Sequence, residues 1–215
     1  MIKIKNLKFS YPDGRPVFSK LNFEYSQGCR LGFFGRNGSG KTTLLRLIMG
    51  LLRPQSGQIE IFAKLRNTEK DFAEVRRRIG YLFQNPDDQL FCPTVREEIA
   101  FGPLNLGKKA EEAAETVKET CKILGLDGFE DRITFHLSGG EKRLTALASV
   151  ISMKPELLLL DEPTNDLDED KTKTVLDYLR NNTKSFIMVS QELDHLKYAG
   201  VNEICRLENS RIVPA

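Results

Sequence analysis

An α/β fold is expected from three stretches of this 215-residue chain. It would combine a mainly parallel sheet core with helices on both faces, an N-terminal antiparallel β layer and an inserted helical subdomain. The first stretch is Gly35-Arg36-Asn37-Gly38-Ser39-Gly40-Lys41-Thr42-Thr43, preceded by a strand-like run at 30–34 and followed by a helix-like run at 42–49. The second is Leu157-Leu158-Leu159-Leu160 running into Asp161-Glu162, the mark of a strand buried on both faces that presents carboxylates at its C-terminal end. The third is the alternation of apolar and polar residues through Ile2, Ile4, Leu7, Phe9 and Tyr11, with one register shift at Asn6, which reads as half-buried strand.

In chain order, Pro12-Asp13-Gly14 closes a turn, and Phe18, Leu21, Phe23 and Tyr25 continue the β pattern. Ile59 and Ile61 after Gly57 add a short strand, so an antiparallel layer precedes and follows the glycine-rich loop. Tyr11 is either a core aromatic or a platform for a purine ring. A helix is expected over 72–78, ending in Arg76-Arg77-Arg78 as a solvated charged face, and a strand over 79–83. Gln84 is that strand's first polar neighbour. The Pro- and Asp-rich loop that follows carries Leu90 and Phe91 as an exposed apolar tip. Helices are expected over 95–100 and over 110–124, the second with Ala113, Val117, Cys121 and Leu124 on one face and Gly125 behind it. Another runs from Leu137-Ser138-Gly139-Gly140 through Ser152. A strand over 185–190 and a closing hairpin around Asn209-Ser210 end the chain, with no separate regulatory domain. The core is assigned to 1–85 with 153–215, and the helical insertion to 86–152.

Composition describes an ordinary globular chain. Lys plus Arg, 32, nearly balances Asp plus Glu, 30, so no basic excess argues for nucleic acid and no nucleic-acid partner is expected. The four cysteines stand far apart with no C-x-x-C pair and read as reduced thiols. No apolar run approaches the ~20 residues that span a bilayer, so any membrane role would come through a partner.

The loop from Gly35 to Thr43 fits G-x-x-x-x-G-K-[ST] at every required position, which predicts a nucleoside triphosphate site. Glycines at 35, 38 and 40 let the backbone curl so that N–H groups, among them those at Asn37, Ser39 and Thr43, surround an anion at a helix N-terminus. Lys41 can then reach the β- and γ-phosphates and Thr42 can ligate Mg²⁺. Asp161 and Glu162 could merely cap a following helix. Beside a phosphate loop, Asp161 can hold Mg²⁺ through water and Glu162 can orient and deprotonate an attacking water. The Ser138-Gly139-Gly140 turn is either a plain Ser N-cap or a second anion site.

With the phosphate loop, Gln84, Leu137-Ser138-Gly139-Gly140 and the strand 157–162 in this order, the chain resembles the ATP-binding cassette (ABC) ATPases over essentially its whole length. The run Gln84-Asn85-Pro86-Asp87-Asp88-Gln89-Leu90-Phe91 is similar to the energy-coupling-factor and cobalt/nickel-type importer ATPases. The resemblance implies that Tyr11 stacks on adenine, that Gln84 senses Mg²⁺ and the γ-phosphate, and that loop 84–91 contacts a transmembrane subunit. It further implies that Ser138, Gly139 and Gly140 cap ATP held by a second ATPase subunit in a head-to-tail dimer, and that Asp168 crosses between the two. The implied activity is ATP hydrolysis driving import of a metal ion or vitamin, at the cytoplasmic face of the membrane, with ATP and Mg²⁺ as ligands.

One position departs from the family pattern. Where a switch histidine is usual, this chain has Gln191, and His195 lies about one helical turn (~6 Å) further on. Glutamine can donate from its amide but carries no charge and shuttles no proton. Two readings stand side by side: slow or partner-dependent hydrolysis, or functional replacement by glutamine, which orients water in other NTPases. The alternatives to an importer motor are a soluble ABC ATPase, a slow half of a heterodimeric pair, and a phosphate-loop kinase. In the kinase, the Ser138 turn would have no role.

Overall fold

The computed structural model describes residues 1–35 and 37–215, so Arg36 of the phosphate loop lies outside the described residues. In chain order the strands and helices are β1 (Ile2–Ser10), β2 (Pro16–Tyr25), β3 (Arg30–Phe34), α1 (Lys41–Ile48), β4 (Ser56–Ile61), β5 (Lys64–Leu65), α2 (Glu69–Arg76) and β6 (Ile79–Leu82). They continue as α3 (Val95–Asn105), α4 (Ala110–Leu124), α5 (Gly139–Ile151), β7 (Leu157–Asp161), α6 (Glu169–Asn182), β8 (Phe186–Ser190), α7 (Leu193–Tyr198), β9 (Glu203–Glu208) and β10 (Arg211–Pro214).

The alternating segments form an antiparallel sheet in the order β2-β1-β4-β5. Asn6 takes φ 50°, and the ladder shifts register around it, between Ile4 and Leu7 against β2 and between Lys5 and Lys8 against β4. That bulge turns a broken alternation into a continuous inner face, because Ile2, Ile4, Leu7 and Phe9 are all buried.

The second sheet runs β10-β9-β3-β8-β7-β6. Its strands are parallel except β10, which pairs antiparallel with β9 around Asn209 and Ser210, both at positive φ. The all-leucine strand is central, as expected of a strand without alternation. Leu157 and Leu159 pack into the core shared with the antiparallel sheet and α1, whereas Leu158 and Leu160 join the core under α4, α5 and α6. Neighbouring β8 divides in the same way, with Ile187 and Val189 on one side and Phe186 and Met188 on the other. Period-two geometry thus splits one apolar run between two cores.

Helices α3, α4 and α5 lie in sequence between β6 and β7, which are hydrogen-bonded neighbours in register Ile79↔Leu157 to Leu82↔Leu160. The interval 110–124 is the α4 helix itself, closed by Gly125 at φ 68°. Three expectations need correction. Helix α2 starts at Glu69, capped by Thr68 with Asp71 in a capping box, and stops at Arg76. Within its arginine run, Arg77 alone is a solvated charge. Arg78 grips Glu156 at 2.7 and 3.0 Å and lies over the Phe62 ring, and Arg76 donates to the Met49 carbonyl. Helix α3 runs on to Asn105 through Pro103. Proline there frees the Ile99 carbonyl, and the buried Ser152 hydroxyl lies 3.0 Å from it and 2.9 Å from the Ser149 carbonyl, with one proton to share between them.

The third correction concerns the loop after β6. Leu90 is buried among α3, α4 and α5, while Phe91 is exposed and meets Phe101 edge-on at 4.8 Å. The reason is Gln89. Its carbonyl oxygen accepts from Phe83 N–H at 3.0 Å, and its amide donates to the Ala146 carbonyl at 2.8 Å. Clamped between β6 and α5, the loop turns Leu90 inward.

Candidate nucleotide site

Strand β3 enters the phosphate loop and α1 leaves it. Gly35, Gly38 and Gly40 hold φ of 134°, 84° and 101°, so the curl needs glycine at each. At Gly40 the neighbours also forbid a side chain: a Cβ would stand 2.9 Å from Val17 and 3.0 Å from Phe18. Lys41, the first residue of α1, is nearly buried, and its ammonium donates to the Gly35 carbonyl at 2.6 Å and to Ser39 Oγ at 3.4 Å. Burial pulls its pKa down, while the carboxylates of Glu162 and Asp161 oppose that fall.

Strand β7 delivers the two acids. Asp161 is fully buried; the Thr42 hydroxyl donates to its Oδ1 at 3.1 Å and the Tyr81 hydroxyl to its Oδ2 at 3.4 Å. Burial raises its pKa, against the pull of Thr42, Arg46, Tyr81 and Lys41. Glu162 takes φ 53°, a strained value for a residue with a side chain. Its N–H donates to the Val189 carbonyl at 3.1 Å, joining the ends of β7 and β8. Burial raises its pKa as well, opposed by hydrogen bonds from the side chain and backbone of Gln191 and by Lys41, and reinforced by Asp161. Its Oε1 is buried without a hydrogen-bond partner among the described residues.

One cleft of about 290 Å³ brings together Tyr11, Asn37, Gly38, Gly40, Lys41, Thr42, Thr43, Gln84, Asp161 and Glu162. Tyr11 is half-buried at its rim. Its hydroxyl lies 3.0 Å from Thr43 Oγ1, its ring meets Phe9 edge-on, and the Arg15 guanidinium stands 4.9 Å from the ring centroid. Gln191 and Gly35 line an adjoining hollow with Arg206 and Glu208.

The structure does not bring Ser138, Gly139, Gly140 or Asp168 to this cleft. Ser138 caps α5: its Oγ accepts from Glu141 N–H, and its own N–H donates to the Glu141 carboxylate at 2.7 Å. Asp168 caps α6, accepting from Lys171 N–H at 2.9 Å. Ser138, Gly139 and Asp168 are exposed.

Several polar residues escaped the sequence reading: Arg15 over Tyr11 and Tyr81 on Asp161 at the site, and, outside the cleft, Gln89 in the loop and Arg143 in α5. For Arg143 a signal existed. It stands on the apolar stripe of α5 with Leu147 and Val150, four and seven residues on.

A glycine-cradled loop at a helix start, a lysine within it, and two carboxylates at the end of the adjacent core strand define a phosphate-loop nucleotide-binding domain. The chain belongs to the ABC transporter family, whose model matches residues 18–165. It is 42% identical over 190 residues to the energy-coupling factor transporter ATP-binding protein EcfA of Methanothermobacter thermautotrophicus, covering 88% of this chain and 61% of that one. EcfA of Methanocaldococcus jannaschii is 46% identical over 169 residues, covering 78% and 61%. The chain thus spans about three fifths of the length of these two relatives. Among solved structures, CbiO1 of Clostridium perfringens, described as part of the ABC transporter complex CbiONQ, superposes with a TM-score of 0.81 at 29% identity over 99% of this chain and 86% of that one.

Proposed function

We propose that this ABC ATPase is the ATP-hydrolysing motor subunit of an energy-coupling-factor type membrane importer, working in a head-to-tail dimer with composite sites. The observation that carries the reading is a separation. Phosphate loop, Asp161 and Glu162 share one cleft, while the Ser138-Gly139-Gly140 helix start lies outside it and exposed. A second subunit would bring its own Ser138 turn over the γ-phosphate of ATP held here. Likeness to EcfA supports the importer class, and the solute carried, a metal ion or vitamin, would be chosen by membrane subunits.

In this assignment Tyr11 stacks on the adenine, and the N–H groups from Asn37 to Thr43 with Lys41 hold the phosphates. The oxygen donors suit Mg²⁺: a hydroxyl and a carboxylate oxygen 3.1 Å apart, with the Gln84 amide on the same cleft wall. Thr42, Asp161 and Gln84 would hold the ion, which when bound neutralises phosphate charge. Glu162 takes the proton of the attacking water. Its carboxylate lines the cleft beside Lys41 and Asp161, where an attacking water would stand. Gln191 opposes the raised pKa of that carboxylate without supplying charge or a proton, so hydrolysis by this chain alone is slow or partner-dependent.

Residues 1–85 with 153–215 act as the nucleotide-binding core and 86–152 as the inserted lobe. The loop 84–91, with exposed Phe91 against Phe101, faces the transmembrane subunit. Among the described residues no helix is long and apolar enough to cross a membrane, so attachment at the cytoplasmic face is peripheral and partner-borne.

Two measurements test the proposal. Glu162→Gln should keep ATP affinity and lose turnover by roughly 10²-fold or more; an unchanged rate overturns the base assignment. Expression with the membrane components should yield a complex with a polytopic membrane protein. A chain that purifies alone and hydrolyses ATP alone favours a soluble ABC ATPase.

A further inference from the structure

Arg143 is a buried charge whose contacts all lie on segments flanking the nucleotide cleft. It sits on α5, five residues beyond Ser138, and is 2% exposed. Its Nη1 donates to the Phe83 carbonyl at 3.1 Å, one residue before Gln84. Its Nη2 lies 3.6 Å from Asp166 Oδ2, on the segment that joins Glu162 to Asp168. That segment also packs on the start of α5, since a Cβ on Gly140 would stand 3.1 Å from the Asp166 carbonyl oxygen. Asp166 is itself held at φ 63°.

Packing alone gives no reason for a guanidinium here. The neighbours on the stripe, Leu147 and Val150, are apolar and buried, and an apolar side chain of similar length would avoid the desolvation of a charge and of an Nε that has no partner among the described residues. What the arginine adds is a planar fork that engages two separate segments at once.

We propose that Arg143 is a positioning residue that ties the Gln84 segment and the Asp166 segment to the start of α5, so that ATP in this chain's own cleft sets the placement of the Ser138 turn offered to the partner subunit. The inference rests on the proposed function in taking the cleft as an ATP site. It adds a route by which one composite site informs the other.

The test is hydrogen–deuterium exchange on the Glu162→Gln chain, with and without ATP and Mg²⁺, at a dilution where the chain is monomeric by mass. ATP should slow exchange in the phosphate loop, in residues 83–90 and in residues 137–145. Adding Arg143→Met should leave phosphate-loop protection within about twofold and abolish the response of 137–145. Asp166→Asn, a change at an exposed side chain that leaves the core intact, should weaken the same response and covers the case in which Arg143→Met fails to fold. Phosphate-loop protection with an unchanged 137–145 response in either folded variant overturns the role of Arg143 alone, as does a parent in which ATP leaves 137–145 unaffected. No phosphate-loop protection in the parent overturns the ATP site and this inference together.

Discussion

His195 Nδ1 and Thr164 Oγ1 lie 3.1 Å apart, so the one histidine near the switch position is tied to the segment after β7 and does not line the nucleotide cleft. Exposed Gln191 follows β8 directly and opposes the raised pKa of Glu162. His195→Ala should therefore change ATP turnover by no more than about twofold, whereas Gln191→His should raise it by roughly 10-fold. A steady-state phosphate-release assay separates the two, and equal rates for the parent and Gln191→His would remove the idea of an impaired switch.

The proposed base assignment carries a pH dependence. Glu162 acts as a base only when ionised, and burial raises its pKa above the ordinary carboxylate value. The acidic limb of the turnover profile should then begin above the usual carboxylate range of about 4, and it should vanish from the residual activity of Glu162→Gln.

The same shifts bear on stability. A carboxyl with a raised folded-state pKa contributes stability below its unfolded pKa and loses it as pH rises through the folded value. At neutral pH, Asp161 and Glu162 thus weaken the fold. Glu162→Gln should melt higher at pH 7, by about 2–4 °C for each kcal/mol relieved, with the gap closing as pH falls. Thermal melts at two pH values read this directly.

Tyr11 at the cleft rim offers a ring face and a hydroxyl bonded to Thr43. Tyr11→Ala should weaken ATP binding by about 1–3 kcal/mol, the range for a base stacked on an aromatic ring, while Tyr11→Phe should cost less. Titration with ATP and with triphosphate alone should show the loss only for the nucleotide.

The Ser152 hydroxyl is within hydrogen-bond reach of the Ile99 carbonyl that Pro103 leaves open, and shares its proton with the Ser149 carbonyl. Ser152→Ala should destabilise the chain by about 1–3 kcal/mol, the usual cost of a buried orphan acceptor. Pro103→Ala restores an N–H that can reach the Ile99 carbonyl, so the serine substitution should cost less in that background. Denaturant midpoints of the four chains close the cycle.

The central strands, the phosphate loop and α4 could be read from the chain because local pattern alone specifies them: an unbroken apolar run, glycines around a lysine, a 3.6-residue stripe closed by Gly125. Tyr11 remained ambiguous in sequence because its environment depends on Phe9 of β1, Thr43 of α1 and Arg15 of the β1–β2 turn meeting around it. Leu90 misled for a similar reason, since its burial follows from Gln89 reaching α5, 57 residues away in sequence. The helix expected over 95–100 runs on through Pro103 to Asn105, because Ser152, 53 residues away in sequence, lies against the carbonyl that the proline leaves open. What pattern could not supply was each hydrogen bond made between distant segments.

The parallel join of β6 to β7 is bridged by a long excursion, with Ile79 opposite Leu157. The entropy of closing such a loop grows only logarithmically, so each doubling of its length costs about 0.6 kcal/mol. The sheet that aligns the reacting groups is therefore almost indifferent to what hangs between those two strands. Residues can be added to or removed from the stretch between Leu82 and Leu157 at little cost to the pairing that holds Asp161 at the end of β7.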